Sequence, residues 1–401
     1  MVDPFEGACS FLTMRTYYGD FHIHVGGSHG HPVKITASRD LTVEKILSYS
    51  RLRKGLDVIT LIDGVCTGVR EEIEHLLQAG TLTPLSKGGY RHGNGLVVFL
   101  GAEVEVNGPQ RGAAHFGCWF GSLAAAADFA KWLATVQKNV SLSSQKAHTN
   151  AQTLQKETHT RGGLFIVHHA FTPHKGLYGN CVSKLGEMVD YDGVDGLELG
   201  LSADTEMADR VRELQNITFL SNSDAHSLPK IGREYNALTL EQINFEEVRL
   251  ALHRQNGRGV IRNFGLHPFL GKYYRTYCLD CGQLWELGAN HCLCGSQHKV
   301  TGVFDRLATI QDDSKAIHPP HRPPYVWQIP LEFIPGVGEK TIQKLLRVFG
   351  NEMNILQRAT LEQLNQIVGD KLGPQIFQAC HGKVEFVPGG GGIYGRILFP
   401  S

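Results

Sequence analysis

Through roughly the first 265 residues, short apolar runs alternate with amphipathic stretches. Val58-Ile59-Thr60-Leu61-Ile62 reads as a fully buried strand ending at Asp63. Leu96 to Leu100 runs into Gly101-Ala102-Glu103, and Leu164 to Val167 runs into His168-His169. Leu197 to Leu199 and Phe219-Leu220 continue the series, the latter leading to Asp224. Between them, Thr42 to Lys54 carries Val43, Ile46, Leu47 and Leu52 at helical spacing, with Gly55 as the stop. Ser122 to Val136, broken by Asp128 and Lys131, reads as an amphipathic helix. Apolar strands alternating with helices predict a parallel sheet buried on both faces. Polar residues at strand C-terminal ends are where a barrel carries its active site. The expected fold is α/β, a distorted barrel of seven strands, with an open doubly wound sheet as the alternative.

A chain of 401 residues is long for one core, so two or three domains are expected. The barrel is expected to span 1–265. A second unit, 266–305, surrounds four cysteines, and 306–401 holds a connector and a mostly helical domain. The connector His318-Pro319-Pro320-His321-Arg322-Pro323-Pro324 resists helix and suits an ordered, semi-rigid tether. No internal repeat is evident.

Charge narrows little: Lys+Arg and Asp+Glu are 39 each, so any nucleic-acid surface must be local. No long uncharged apolar stretch is present, so no membrane association is expected. Asp3 and Glu6 stand where a signal peptide would be basic, so a cytoplasmic protein is expected. Of nine cysteines, Cys9, Cys66, Cys118, Cys181 and Cys380 are isolated and read as buried thiols, not disulfides.

Candidate chemistry starts at Asp20-Phe21-His22-Ile23-His24. Histidines at i and i+2 of a strand point to one side and can grip one ion together. Asp63, Glu103, His115, His169 and Asp224-Ala225-His226 follow apolar runs. Imidazoles and carboxylates gathered this way suggest one polynuclear site for divalent ions, and hydrolysis of a phosphate ester. Glu198 is a candidate to orient a ligand, or else a strand-end salt bridge.

In order, Asp-Phe-His-Ile-His, the strand before Asp63, Gly-Ala-Glu103, His115, Gly162-Gly163 before His169, and Ser223-Asp224-Ala225-His226 resemble the polymerase-and-histidinol-phosphatase (PHP) family. The resemblance implies a distorted (β/α)7 barrel and a phosphoesterase with two or three ions of Zn, Mn or Mg. It implies His22, His24, Asp63, Glu103, His115, His169, Asp224 and His226 as ligands, with Asp224, Glu103 and His226 as catalytic candidates and Glu103 as the bridge. Two positions depart from the pattern. Gly64 stands where the family has His, and His168 fills the family's Ala slot.

Cys278-x2-Cys281 and Cys292-x-Cys294-Gly295 fit a small ribbon with one structural zinc, with His291 as an alternative ligand to Cys292. Phe333-Ile334-Pro335-Gly336-Val337-Gly338-Glu339-Lys340-Thr341 resembles the hairpin of a helix-hairpin-helix motif. Gly336 and Gly338 permit close backbone approach, and Lys340 and Lys344 share a helical face suited to neighbouring phosphates. Gly389 to Gly392, before Tyr394, reads as another close-approach loop or a flexible tail.

The three parts together, with His169-Ala170-Phe171-Thr172-Pro173-His174, Glu198 to Thr205 and Arg322 to Val326, resemble a DNA-repair branch of the PHP family. That resemblance implies an endonuclease nicking 5′ to uracil, hypoxanthine, xanthine or an abasic site, with the base extruded from the stack. The implied partner is double- or single-stranded DNA containing deaminated bases, with a sliding clamp as a further candidate, and the implied enzyme is a monomer at the nucleoid. The alternatives are a histidinol-phosphatase-like enzyme and a DNA-binding scaffold with a degenerate site.

Overall fold

The computed structural model describes residues 13–286 and 288–399, so Asp3, Glu6 and Cys9 lie outside the described residues. One curled mixed sheet dominates. Its main path runs Phe219–Leu220, Gly196–Glu198, Leu164–Val167, Ala113–Phe120, Val97–Asn107, Val58–Leu61, Arg15–Ile23, Tyr235–Leu240, Gly259–Gly265 and Tyr325–Trp327. Apolar side chains fill both faces, as the continuous runs require. Along one strand, Val97 and Phe99 join one buried cluster while Val98 and Leu100 join another.

The expected parallel pairing holds in two blocks. Val58–Leu61 is parallel to both its neighbours, and Leu164–Val167, Gly196–Glu198 and Phe219–Leu220 run together. Between the blocks the direction reverses, because Val97–Asn107 and Ala113–Phe120 form a long antiparallel hairpin. The joining residues, Gly108 to Gly112, are too few for a crossover, and Gly112 takes the left-handed φ of +67° that the turn needs. Arg15–Ile23 also pairs antiparallel with Tyr235–Leu240.

The curl closes through side chains. Asn236 donates to the Ser221 carbonyl at 2.9 Å and to that of Gly19 at 3.3 Å, and accepts the Ser221 N–H at 2.9 Å. Asn263 donates to Asn236 at 2.9 Å and to the Phe219 carbonyl at 3.1 Å. Two buried amides therefore occupy the seam where backbone pairing gives out.

The proline-rich connector is fastened to the barrel. The guanidinium of Arg322 pairs with buried Asp209 at 2.8 Å and lies 3.5 Å over the Phe219 ring, and the chain then enters the sheet at Tyr325–Trp327. Helices Glu339–Phe349, Glu352–Arg358, Leu361–Val368 and Leu372–Cys380 share a separate core around Leu345, Ile355, Leu364 and Ile376. They dock on the barrel where Arg53 meets Glu339 at 2.9 Å and Glu352 at 2.6 Å. No helix among the described residues is long and apolar enough to cross a membrane.

Candidate active site

Strand geometry delivers the histidines. His22 and His24 flank Ile23, which bridges to Ala225, so Asp224 and His226 flank the partner position. Backbone bonds of 3.2 Å from His24 N–H to the Ala225 carbonyl and from Ala225 N–H to the His22 carbonyl lock the two segments together. Asp224 and His169 adopt left-handed φ of +45° and +26°, conformations that non-glycine residues keep only where the surroundings enforce them.

Glu103 is the hub. Its Oε1 lies 3.0 Å from His115, 3.3 Å from His168 and 3.4 Å from both His22 and His169. Its Oε2 faces Lys34 at 2.9 Å and His24 at 3.5 Å. Burial opposes its charge, but His115 and Lys34 overcome that and hold its carboxyl well below the usual range. Asp224 approaches His24 at 3.4 Å and His22 at 3.5 Å. It too is held well below the ordinary value, with His226 and His22 outweighing burial.

Three sets of donor atoms converge to within 4.8 Å of one another: His22, Glu103 and His168; His22, His24 and Asp224; and Glu103, His115 and His169. The donors fit divalent ions. The Nε2 atoms of His22, His24 and His168 and the Nδ1 of His115 are buried without a hydrogen-bond partner. Such atoms are costly to leave unsatisfied, and a cation on imidazole and carboxylate donors satisfies them. Glu103 and His22 each belong to two sets; a carboxylate has two oxygens to offer, while His22, whose Nδ1 faces Glu198, has Nε2 alone.

Other predicted residues have different places. Asp63 lies outside these sets. It accepts from the Val25 N–H at 2.7 Å and faces His24 Nδ1 at 3.1 Å, and so aims His24. His226 packs its ring 4.7 Å from that of His24 and meets the Asp224 carbonyl at 3.0 Å. Glu198 lies 3.0 Å from His22 Nδ1, so it orients a histidine and is no surface ion pair. Gly64 has no room for a side chain, since a Cβ there would lie 2.9 Å from the Leu100 backbone.

Two participants escaped the sequence reading. Lys34 brings a buried ammonium to Glu103 from a loop with no periodic signal. His168 is fully buried in the cluster, and burial drives its ring down to about 4. A cavity of about 370 Å³ opens over Lys34, Glu103, His115, His169, Asp224 and His226. A smaller one of about 140 Å³ adjoins it, walled by Thr172, His174, Ser202, Lys272 and Tyr273.

In the ribbon, the four sulfurs of Cys278, Cys281, Cys292 and Cys294 lie within 4.8 Å of one another, and His291 is exposed outside the group. Sulfurs of Cys278 and Cys294 are 3.7 Å apart, and those of Cys281 and Cys292 are 3.5 Å apart. Tetrahedral zinc with Zn–S of about 2.3 Å spaces its sulfurs at roughly 3.8 Å. The Cys281 N–H pulls the Cys278 thiol down, while contacts among the crowded sulfurs push the Cys281 and Cys294 thiols up.

The hairpin is formed as predicted. Gly336 takes φ of +83°, Gly338 caps helix Glu339–Phe349, and Lys340 and Lys344 are exposed on that helix.

Comparison with known proteins agrees with this geometry. Residues 332–383 match the family described as the DNA polymerase-iota thumb domain. The uncharacterized protein YqxK of Bacillus subtilis is 43% identical over 96% of this chain and 100% of its own length. The structure of the lesion-specific endonuclease PfuEndoQ from Pyrococcus furiosus superposes with a TM-score of 0.82 at 30% identity, covering 96% of each chain. Endonuclease Q bound to a 27-mer duplex with an abasic lesion at its active site gives a TM-score of 0.84 at 29% identity, over 96% of this chain and 97% of that one. With barrel, ribbon and hairpin all shared along 96% of its length, this chain belongs to the endonuclease Q family of lesion-specific endonucleases.

Proposed function

We propose that this chain hydrolyses the phosphodiester on the 5′ side of a deaminated base (uracil, hypoxanthine or xanthine) or of an abasic site in DNA. The observation that carries the reading is the convergence of unpartnered imidazole nitrogens on Glu103 and Asp224 beneath an open cavity. Divalent ions held there, two or three of Zn, Mn or Mg, supply an activated water and neutralise charge on the phosphate. The protein's part is to position. Glu198 and Asp63 fix the rings of His22 and His24, and Glu103 and Asp224 hold full negative charge against burial. Lys34 adds a cation at the cavity wall.

The smaller cavity, beside Asp224 and walled by polar side chains, suits a nucleobase turned out of the stack. Hairpin residues Gly336, Gly338, Lys340 and Lys344 hold the backbone of the duplex. The enzyme works as a monomer in the cytoplasm, at the nucleoid, with a sliding clamp as a candidate partner. A small-molecule phosphatase needs neither ribbon nor hairpin.

The test is a labelled duplex containing uracil, hypoxanthine or an abasic site, incubated with and without Mn or Mg. Mass spectrometry should find a nick that leaves the modified nucleotide on the downstream fragment. Free base in the supernatant would mean a glycosylase. Phosphate release from histidinol phosphate far faster than nicking would mean the small-molecule enzyme.

A further inference from the structure

Tyr394 lies 161 positions beyond Arg233, yet its hydroxyl accepts a hydrogen bond from the Arg233 guanidinium at 2.6 Å. Resting on the metal-centre reading above, we propose that Tyr394 is a positioning residue for the reaction: through Arg233 it holds the turn from which Asp224 reaches His22 and His24.

Arg233 is buried at 6% exposure. Its Nε donates to the Ser223 carbonyl at 2.9 Å, and one terminal nitrogen reaches the Asp224 carbonyl at 3.5 Å. These two carbonyls belong to the segment where Asp224 holds φ of +45°. A left-handed aspartate relaxes unless its carbonyl is held, and relaxation swings the carboxylate away from both histidines. The remaining arm of the planar guanidinium needs an acceptor to fix the group's rotation, and Tyr394 provides it.

Tyr394 is itself held firmly. The N–H groups of Gly389, Gly392 and Gly395 donate to the carbonyls of Phe269, Lys272 and Leu270 at 2.7, 3.1 and 3.1 Å. Gly390 and Gly391 lie against the Tyr277 ring, where an added Cβ would come within 2.2 and 2.6 Å of ring carbons. The glycine run is therefore a docking surface for Tyr277, the residue before the first ribbon cysteine, and no flexible tail. Phe333, the first residue of the hairpin stretch, packs edge-on to the Tyr394 ring at 5.3 Å, and Lys272 stands 4.7 Å above it. The Tyr394 side chain thus joins Phe333 to the metal-site turn, and the glycines before it carry the ribbon's Tyr277.

Full-length Tyr394→Phe keeps the ring and loses the hydrogen bond. At saturating abasic duplex its kcat should fall about tenfold, with KM, duplex affinity and melting temperature unchanged. Electron paramagnetic resonance should show weaker Mn(II) binding in the barrel and an altered signal, a change that a purely structural hydroxyl would not produce. Wild-type kcat together with a wild-type Mn(II) signal would overturn the proposal. So would a parallel fall in melting temperature and kcat with the Mn(II) signal intact. A wild-type protein whose barrel takes up no Mn(II), Zn or Mg would instead remove the metal reading, and the proposal with it.

Discussion

Glu198 stands 3.0 Å from the Nδ1 of His22 and accepts a 2.8 Å hydrogen bond from Asn222. Burial works against its charge, yet His168 and His22 hold its carboxyl down to about 2, so it is fully ionised when it faces the ring. With a carboxylate at its Nδ1, His22 turns Nε2 toward Glu103 and Asp224. Glu198→Gln should weaken metal binding by roughly 10- to 100-fold, the usual cost of losing such a partner. Duplex affinity should stay within a few-fold. Chelator competition followed by elemental analysis measures the first and gel shift the second. Unchanged metal retention would reduce Glu198 to a packing role.

Cys278→Ser should release one tightly held zinc and unfold the ribbon alone, because it leaves three of the four sulfurs and a unit this small takes its folding energy from its metal. Elemental analysis is the direct measurement, and a full zinc complement in the variant would remove the ribbon assignment. Barrel melting should persist as a separate transition.

Replacing Gly336 and Gly338 by valine should weaken binding to damaged and undamaged duplex alike, by about tenfold. Gly336 sits at φ of +83°, where a β-branched residue costs roughly 1–2 kcal/mol, and close approach to phosphate is lost besides. A shift in lesion preference at constant general affinity would instead show the loop reading bases.

Glu234 gives a pH dependence. Its carboxyl is fully buried, with Oε1 accepting the Leu266 N–H at 2.8 Å and Oε2 unpartnered. Burial pushes it up to about 8 from an ordinary 4.5. The folded chain therefore keeps a proton that the unfolded chain releases above 4.5, so stability falls as pH rises from there to about 8. Glu234→Gln should remove that slope, worth on the order of a few kcal/mol. Melting temperatures at pH 5 and pH 8 should converge in the variant relative to the parent. Equal slopes would show that Glu234 does not titrate in this window.

Much of the cluster was legible because its residues close apolar runs. Leu164–Val167 and Phe219–Leu220 appear with the boundaries their hydrophobicity implies. What escaped depends on partners distant in sequence. His168 fits because Gly117 faces it from the strand paired with Leu164–Val167, where a Cβ would come within 2.1 Å of its Nε2. A glycine inside the otherwise bulky run Ala113–Phe120 was the available signal. The strand reversal was foreshadowed by Gly108-Pro109-Gln110-Arg111-Gly112, a turn composition too short for a helix. Asp63 stands where the sequence places it, and its contact with His24 Nδ1 at 3.1 Å is a relation between two strands that spacing does not encode. Lys34 follows no periodicity at all.

The packing at Gly64 bears on the engineering of this cluster. A new side chain there would collide with Leu100, three residues before Glu103 on the same strand. Any histidine introduced at this position must push the very strand that carries Glu103. A donor added at Gly64 therefore comes only with a shift of the strand that carries Glu103, so the wall behind the cluster and the cluster itself move as one.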